Sequence, residues 1–545
     1  MNLNQKELDV VVVGAGFSGM YLLHLLRKEG YSTRVFEKGD NVGGTWYWNR
    51  YPGAGCDIET MYYCYTFSEE IFKEWTWSTS FPRQPELLKY ANFVADKLDL
   101  RRDIQFNTRI VSAHFDEKIN KWQIQTDDNE VVIAKYFVTA LGSLSSATHM
   151  PNIKGLKDFE GEIYHTGKWP HEKVDFKGKR VGVIGTGSSG VQAIPEIAKG
   201  AEHLKVFQRS PQWVFPCKDE PPKPKEVQAM KDNFHNWRRR MDESPGGFLQ
   251  ENFGKPYPTF DDTREERQKL YEKLWQSRSA TALLSAYTDT RTNDAANEDV
   301  ANFIRSKIKE IVKDSTTAEK LLPNLLVGAK RPIFGKDYYE TYNRDNVSLV
   351  DIRDTSIEIT KQGIRTGDTE HELDYIVFAT GFDGLTGGLL KIDILGRNDL
   401  TLWGKWDGFK DFKTNLGLTH SGFPNMFTIW GPHSTAFTNA LRGLELHVEW
   451  TFQCIDYLQK HAVETIEATA EAEDEWTNFN DAIASQSLSN RVPSWYHGAN
   501  IEGKPPANLM YFGDWPTYKA KYDEVASKEY EGFLMTRSFE TKLKR

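Results

Sequence analysis

Gly14-Ala15-Gly16-Phe17-Ser18-Gly19 and Gly185-Thr186-Gly187-Ser188-Ser189-Gly190 each sit between a short apolar, β-branched run and a helix-forming stretch. This strand-turn-helix order, met twice, predicts an α/β protein with two Rossmann-like dinucleotide-binding domains. A charged, helix-favouring stretch between about residues 217 and 325, entered through Pro221-Pro222-Lys223-Pro224, predicts a helical insertion in the second domain.

In the first unit, Asp9–Val13 is almost wholly apolar and β-branched, as expected of a strand buried on both faces. Gly19–Lys28 carries apolar residues three and four apart, and Gly30 is a stop signal for that helix. A second strand, Thr33–Glu37, ends on an acid about twenty residues past the glycines. A carboxylate there accepts hydrogen bonds from a ribose whose 2′-hydroxyl is free, which selects FAD or NAD over NADP.

The second unit repeats the pattern with strand Arg180–Ile184, a helix from Val191 to about Lys199, and strand Leu204–Gln208. Here the acid is replaced by Gln208-Arg209-Ser210, and a guanidinium fork beside a hydroxyl suits a 2′-phosphate. The second cofactor therefore reads as NADPH, the alternative being a solvated surface arginine. Two nucleotides on one chain imply electrons passing between them, and so a redox enzyme.

Within the insertion, Asn297–Ile308 is a clear helical stretch. Strands resume at Val347–Asp351 and Tyr375–Phe382, and Phe137–Gly142 closes the first domain. After Asp383 the chain is expected to cross back, with Asn425–Pro432 a strand entering a flavin-side loop. The expected domains are residues 1–145 (FAD, first part), 146–384 (NADP, with the insertion) and 385–545 (FAD, second part and C-terminal segment).

Composition narrows the class. A net charge of −9 gives no electrostatic reason to expect nucleic acid or an anionic membrane as partner. There is no apolar run of membrane-spanning length, and the first eight residues lack the basic and apolar regions of a signal peptide, so the cytoplasm is expected. Cys56, Cys64, Cys217 and Cys454 are too scattered for a disulfide framework or a metal site. Cys56 and Cys64 are the nearest pair; they lack the close spacing of a disulfide reductase and read as small core residues.

Between the two glycine turns, Phe159, Gly161, His165, Trp169 and Pro170 match F-x-G-x-x-x-H-x-x-x-W-P. A second pattern comprises Gly43-Gly44-Thr45-Trp46, Tyr51-Pro52-Gly53 and Asp57. Lys330-Arg331-Pro332, Tyr338-Tyr339-Glu340, Ser494-Trp495 and Gly498-Ala499-Asn500 follow in order. On these motifs the chain resembles the class B flavoprotein monooxygenases of Baeyer-Villiger type over essentially its whole length, and within them the phenylacetone and cyclohexanone monooxygenases.

The resemblance implies that NADPH reduces FAD, that the reduced flavin adds O2 at C4a, and that the peroxyflavin attacks a ketone. The resulting Criegee adduct gives an ester or lactone. Arg331 matches the family's active-site arginine, a fixed cation for the anionic peroxide, and Asp57 the carboxylate that orients it. Lys330 is placed to reach the 2′-phosphate with Arg209. Gly44, Thr45, Trp46, Lys38, Tyr63 and Ile110 join the first glycine turn and Glu37 in the FAD set, while Gln192 and Ser210 join the NADP set. Trp495 matches a tryptophan that packs on the nicotinamide nucleotide, its alternative being a plain core aromatic. His165 is read as a structural residue in a connector rather than a general base, and Phe159 and Trp169 as linker anchors.

Gly431–Arg442 aligns with the loop that shapes the ketone pocket. Arg442 departs from the apolar residues of the relatives; it either lines the entrance and favours acidic ketones or faces solvent on the following helix. The expected partners are a ketone and O2, acting on a monomer or weak homo-oligomer. A flavin monooxygenase oxidising nitrogen or sulfur shares the cofactors and a similar double fold, but the Phe159–Pro170 pattern, Asp57 and Arg331 favour ketone oxidation. A non-catalytic nucleotide sensor would not need Arg331, Asp57 and Lys330 together.

Overall fold

A computed structural model describes residues 6–537 apart from 145–147, 149, 218–219, 250–253 and 278–279. The predicted domain boundary at 145/146 lies outside the described residues.

The first apolar run forms β1 (Lys6–Val13), in which Val10, Val11 and Val12 are wholly buried. It leads through the glycine turn into α1 (Phe17–Lys28) and β2 (Thr33–Phe36). Further along are β3 (Ile104–Gln105), β4 (Ile110–Asp116), β5 (Lys121–Thr126) and β6 (Val131–Thr139). The second unit contains β7 (Glu162–His165), β8 (Arg180–Ile184), α2 (Ser188–Gly200) and β9 (His203–Gln208). The charged stretch is helical as expected, with Pro224–Asp232, α3 (Phe234–Glu243), Arg264–Ser277, Asp294–Ile311 and Ser315–Leu321. After it, β10 (Val347–Asp351) and β11 (Tyr375–Phe378) complete a five-stranded parallel sheet in the order β10-β9-β8-β11-β7.

The chain then returns to the first sheet. β12 (Asp393–Leu395) pairs with β4 and β13 (Met426–Thr428) with β6, giving the order β12-β4-β5-β6-β1-β2-β3 with β13 beside β6. Three long helices follow: α4 (Ala440–Lys460), which packs on α1, then Ala470–Gln486, and α5 (Trp515–Ser527).

Both glycine turns are built alike. Gly14 and Gly185 each adopt φ +106°, and a Cβ on either would lie 2.6 Å from a carbonyl oxygen, of Ala140 and Ala379 respectively. A side chain there would collide with the backbone just past a neighbouring strand. The helices therefore start straight out of the turns, at Phe17 and Ser188, earlier than apolar periodicity alone indicates.

His165 is not in a connector. It ends β7, the edge strand of the second sheet, in register with Phe378 of β11. Its Nδ1 accepts a hydrogen bond from Gly167 N–H at 3.0 Å, capping the short turn Thr166–Lys168, and its Nε2 lies 3.3 Å from Thr380 Oγ1. Four residues paired on one side carry too little alternation to read as a strand. The predicted strand Tyr375–Phe382 stops at Phe378, just before the Ala379 carbonyl against which the Gly185 turn is packed.

Candidate active site

The carboxyl ends of the parallel strands of both sheets, the first mixed and the second all parallel, open on one cavity of about 1620 Å³. Parallel sheets present their loops and helix N-termini at this end, where charge and backbone N–H groups gather. Every catalytic and cofactor-binding residue named from the sequence lines it except Gly19 and Gly190. Those two serve packing: a Cβ would lie 1.9 Å from Gly14 O in one turn and 2.2 Å from Gly185 O in the other.

Glu37 immediately follows β2 and is buried, with Oε2 accepting from Ala15 N–H and Oε1 from Gly39 N–H, each at 2.8 Å. Burial raises its pKa, and these two bonds oppose the rise. Each oxygen keeps acceptor capacity for ribose hydroxyls. The residues thus fit an adenosine ribose bearing no 2′-phosphate, with the α1 N-terminus, free of acidic side chains in its first turn, directed at a pyrophosphate. Lys38 lies over the Trp48 ring at 4.0 Å, and Trp46 donates its indole N–H to the Tyr63 hydroxyl at 2.8 Å.

In the second unit Lys330 is held below its ordinary pKa, first by burial and then by the repulsion of Arg209. Two cations kept close in a half-buried place fit a dianionic 2′-phosphate, which relieves both the burial and the repulsion. Thr186 Oγ1 donates to the Ser210 carbonyl at 3.1 Å, which ties the glycine turn to the segment carrying Arg209.

Arg331 precedes a short strand, Ile333–Gly335, that follows the helical insertion, while Asp57 lies on a loop of the first unit. The two meet in a bidentate pair, Arg331 Nε to Asp57 Oδ2 at 3.1 Å and Nη2 to Oδ1 at 2.6 Å. The carboxylate raises the arginine pKa further against the opposing effect of burial. The Arg331 side chain keeps 37% of its surface exposed, while that of Asp57 keeps 16%. Asp57 therefore holds the cation from behind and leaves it facing the cavity.

Gln192 does more than line the cavity. Its Oε1 accepts from the Tyr51 hydroxyl at 2.7 Å and its Nε2 donates to the Gly55 carbonyl at 3.0 Å. Both ends of its amide clasp the loop that leads to Asp57, which ties the NADP-side helix α2 to the segment carrying that carboxylate.

Trp495 lines the cavity against Gly384. The fully buried Tyr496, which the sequence reading passed over, lies beside Arg331. Its place directly after Trp495 was the available signal. Apolar side chains of Ile58, Trp430, Leu441 and Leu444 line the same cavity. The Trp430 backbone N–H donates to His447 Nδ1 at 3.2 Å. Burial pulls that imidazole down to about 3, so it remains a neutral acceptor that fixes the loop.

Arg442 neither lines the entrance nor faces solvent. It is 3% exposed and paired with Asp242 of α3 at 2.8 Å and with Glu445. Cys56, Cys64, Cys217 and Cys454 are free thiols, and among the described residues no group of three metal-ligating side chains occurs.

A family model described as flavin-binding monooxygenase-like matches residues 7–241. A Baeyer-Villiger monooxygenase of Pseudooceanicola batsensis is 42% identical over 98% of this chain and 97% of its own length. The chain belongs to the Baeyer-Villiger monooxygenases. As a member it is a flavoprotein that uses FAD and NADPH, in keeping with Glu37 at one nucleotide site and Arg209 with Lys330 at the other. The structure is also similar to that of cyclohexanone monooxygenase from Rhodococcus sp. Phi1 bound to NADP+, with a TM-score of 0.94, 41% identity, and 98% of this chain and 100% of that one covered. A phenazine N-monooxygenase of Lysobacter antibioticus is likewise 42% identical over 98% of each chain. No helix among the described residues is long and apolar enough to cross a membrane.

Proposed function

We propose that this Baeyer-Villiger monooxygenase inserts one oxygen atom next to the carbonyl of a ketone, giving an ester or lactone, with Arg331 and Asp57 as its catalytic pair. The observation that carries this reading is the bidentate ion pair with its cation turned into the cavity where the two nucleotide sites meet. When bound, FAD takes a hydride from NADPH and delivers one atom of O2.

The chain's own residues explain why the cation is arginine. A guanidinium stays charged at any working pH, so it stabilises negative charge on the reacting oxygens without releasing a proton to them. Asp57 fixes its orientation and prevents a lone buried charge. Ile58, Trp430, Leu441 and Leu444 exclude water and hold an apolar ketone beside it. Gln192 keeps the NADP-side helix in register with this pair.

In this reading residues 1–145 and 385–545 hold FAD and residues 146–384 hold NADP. The enzyme acts in the cytoplasm as a monomer or weak homo-oligomer, with catalytic cation and carboxylate drawn from one chain.

Oxidation of a ketone panel with NADPH and isotopically labelled O2 tests the reaction. One labelled oxygen is expected between the carbonyl carbon and its neighbour; products oxygenated only at nitrogen or sulfur would overturn the reading. The phenazine N-monooxygenase relative makes nitrogen heterocycles the second substrate class for that panel.

The 2′-phosphate assignment has its own test. Replacing Lys330 and Arg209 each with alanine removes a charge-assisted hydrogen bond of about 1.5–3 kcal/mol. NADPH affinity is expected to fall roughly tenfold to a hundredfold per substitution while NADH affinity stays near its starting value. Equal losses for both nucleotides in steady-state KM measurements would refute the assignment.

A further inference from the structure

Trp495 stands on a segment with little regular structure of its own. Ser494 caps a single 3₁₀ turn, Trp495–His497, by accepting from Tyr496 N–H at 3.3 Å, and Gly498 ends the turn at φ +69°. Residues 498–509 form neither helix nor strand. The fully buried Tyr496 anchors the inner side of the turn. A tryptophan carried on so short an element keeps one orientation only if the residues that follow it are tied down as well.

Those ties run to the stretch of chain that leaves β11 and returns to the first sheet. Asn500 Nδ2 donates to the Phe382 carbonyl at 2.8 Å. Lys504 Nζ donates to Asp383 Oδ1 and to Thr386 Oγ1, each at 2.6 Å, and lies 4.4 Å from the centre of the buried Phe409 ring. Trp495 packs on the same stretch, at Gly384, where a Cβ would lie 3.4 Å from the indole. The Lys504 side chain is 5% exposed and that of Asp383 25%. A lysine is buried to this degree only when its charge is answered, and here a carboxylate, a hydroxyl and an aromatic ring answer it together. Phe382, Gly384, Trp495 and Asn500 line the cavity, whereas Asp383, Thr386 and Lys504 stand behind its wall.

The ion pair therefore acts on the site through Trp495 rather than on a ligand. We propose that Lys504 is a positioning residue for the nicotinamide nucleotide: its bond to Asp383 locks residues 494–504 onto the linker between the two units and so holds the Trp495 indole in the cavity wall where the nucleotide binds. The inference rests on the assignment of Trp495 to NADP. With the lock in place the indole is oriented before the nucleotide arrives, and binding does not have to order the segment. With the pair broken, the segment must be ordered on binding, and affinity falls although neither lost group touches the nucleotide.

Calorimetric titration of the FAD-loaded enzyme with NADP+ reads the lock without turnover. Lys504→Met, which keeps the length of the side chain and removes its charge, is expected to weaken NADP+ binding by about tenfold or more, with FAD content unchanged. Asp383→Asn separates the lock from a plain charge effect. Removing a negative charge near an anionic nucleotide tightens binding if electrostatics alone acts, and weakens it as Lys504→Met does if the pair holds the segment. The double variant is expected to bind no more weakly than either single one, because both break the same bond. Unchanged NADP+ affinity in Lys504→Met, or tighter binding in Asp383→Asn, overturns the proposal. Trp495→Ala distinguishes this failure from that of the assignment beneath it. Affinity lost in Trp495→Ala but kept in Lys504→Met removes only the lock; affinity kept in Trp495→Ala removes the assignment and the lock with it. Added to Trp495→Ala, Lys504→Met is expected to lower the affinity no further, whereas an additive loss marks a merely structural lysine and overturns the proposal. Where Lys504→Met does not fold, Asp383→Asn, at the more exposed end of the pair, carries the same test.

Discussion

Arg331→Ala is expected to lower the rate of ester formation by about a hundredfold or more while NADPH still reduces the flavin at close to its original rate. The asymmetry follows from the geometry. Arg331 faces the cavity with 37% of its surface exposed and is held from behind by two hydrogen bonds to Asp57. Its charge matters when negative charge develops on oxygen, whereas hydride transfer depends on how the two nucleotides are seated by the glycine turns, Glu37 and the Arg209 and Lys330 pair. Arg331→Lys is also expected to fail, because an ammonium cannot keep the bidentate hold on Asp57. Stopped-flow reduction and product quantification on the same preparation make the comparison. Ester formation that persists in Arg331→Ala would remove the arginine from the mechanism.

The second large effect is on stability. Arg442→Ala is expected to lower the unfolding free energy by about 3–5 kcal/mol, the usual consequence of removing one partner from a buried ion pair. Its partner Glu445 is fully buried, accepts from Phe67 N–H at 3.1 Å, and also takes hydrogen bonds from the Thr66 amide and hydroxyl. On the other side Arg442 donates to Asp242, which also accepts from the Trp515 indole at 3.3 Å. One guanidinium therefore joins α4 to the helical insertion through α3 and to α5. Adding Glu445→Gln to Arg442→Ala neutralises the stranded carboxylate and is expected to restore part of the loss in denaturant titrations. Because Arg442 does not line the cavity, the kcat/KM ratio between carboxylated and neutral ketones is expected to be unchanged in Arg442→Lys; a changed ratio would return it to the substrate entrance.

Arg442 also marks the limit of local reading. An arginine on an otherwise apolar helix start suggests either function or solvent, and its partners Asp242 and Glu445 lie 200 and 3 residues away. Nothing in the sequence ties Asp242 to it. Gln192 is a related case. Its place after the second glycine turn suggests a nucleotide contact, yet both ends of its amide are committed to the Tyr51–Gly55 loop. His165 stands within a long recognisable pattern, but four residues of edge strand leave no periodicity from which to read its place in the sheet.

The sequence by itself determined what depends on short separations along the chain. It fixed the two glycine turns, the strands that feed them, Glu37 against Arg209 as the discriminator between two nucleotides, and the motif order that marks the family. These are local because a turn, a cap and a strand end are each built within a few residues. Tertiary structure decided how charge is shared across the seam. Asp57 reaches Arg331 across 274 residues, and Arg442 finds its carboxylates inside the fold. Ion pairing depends on distance and burial rather than on position in the chain, so it becomes readable only once the two sheets are packed together.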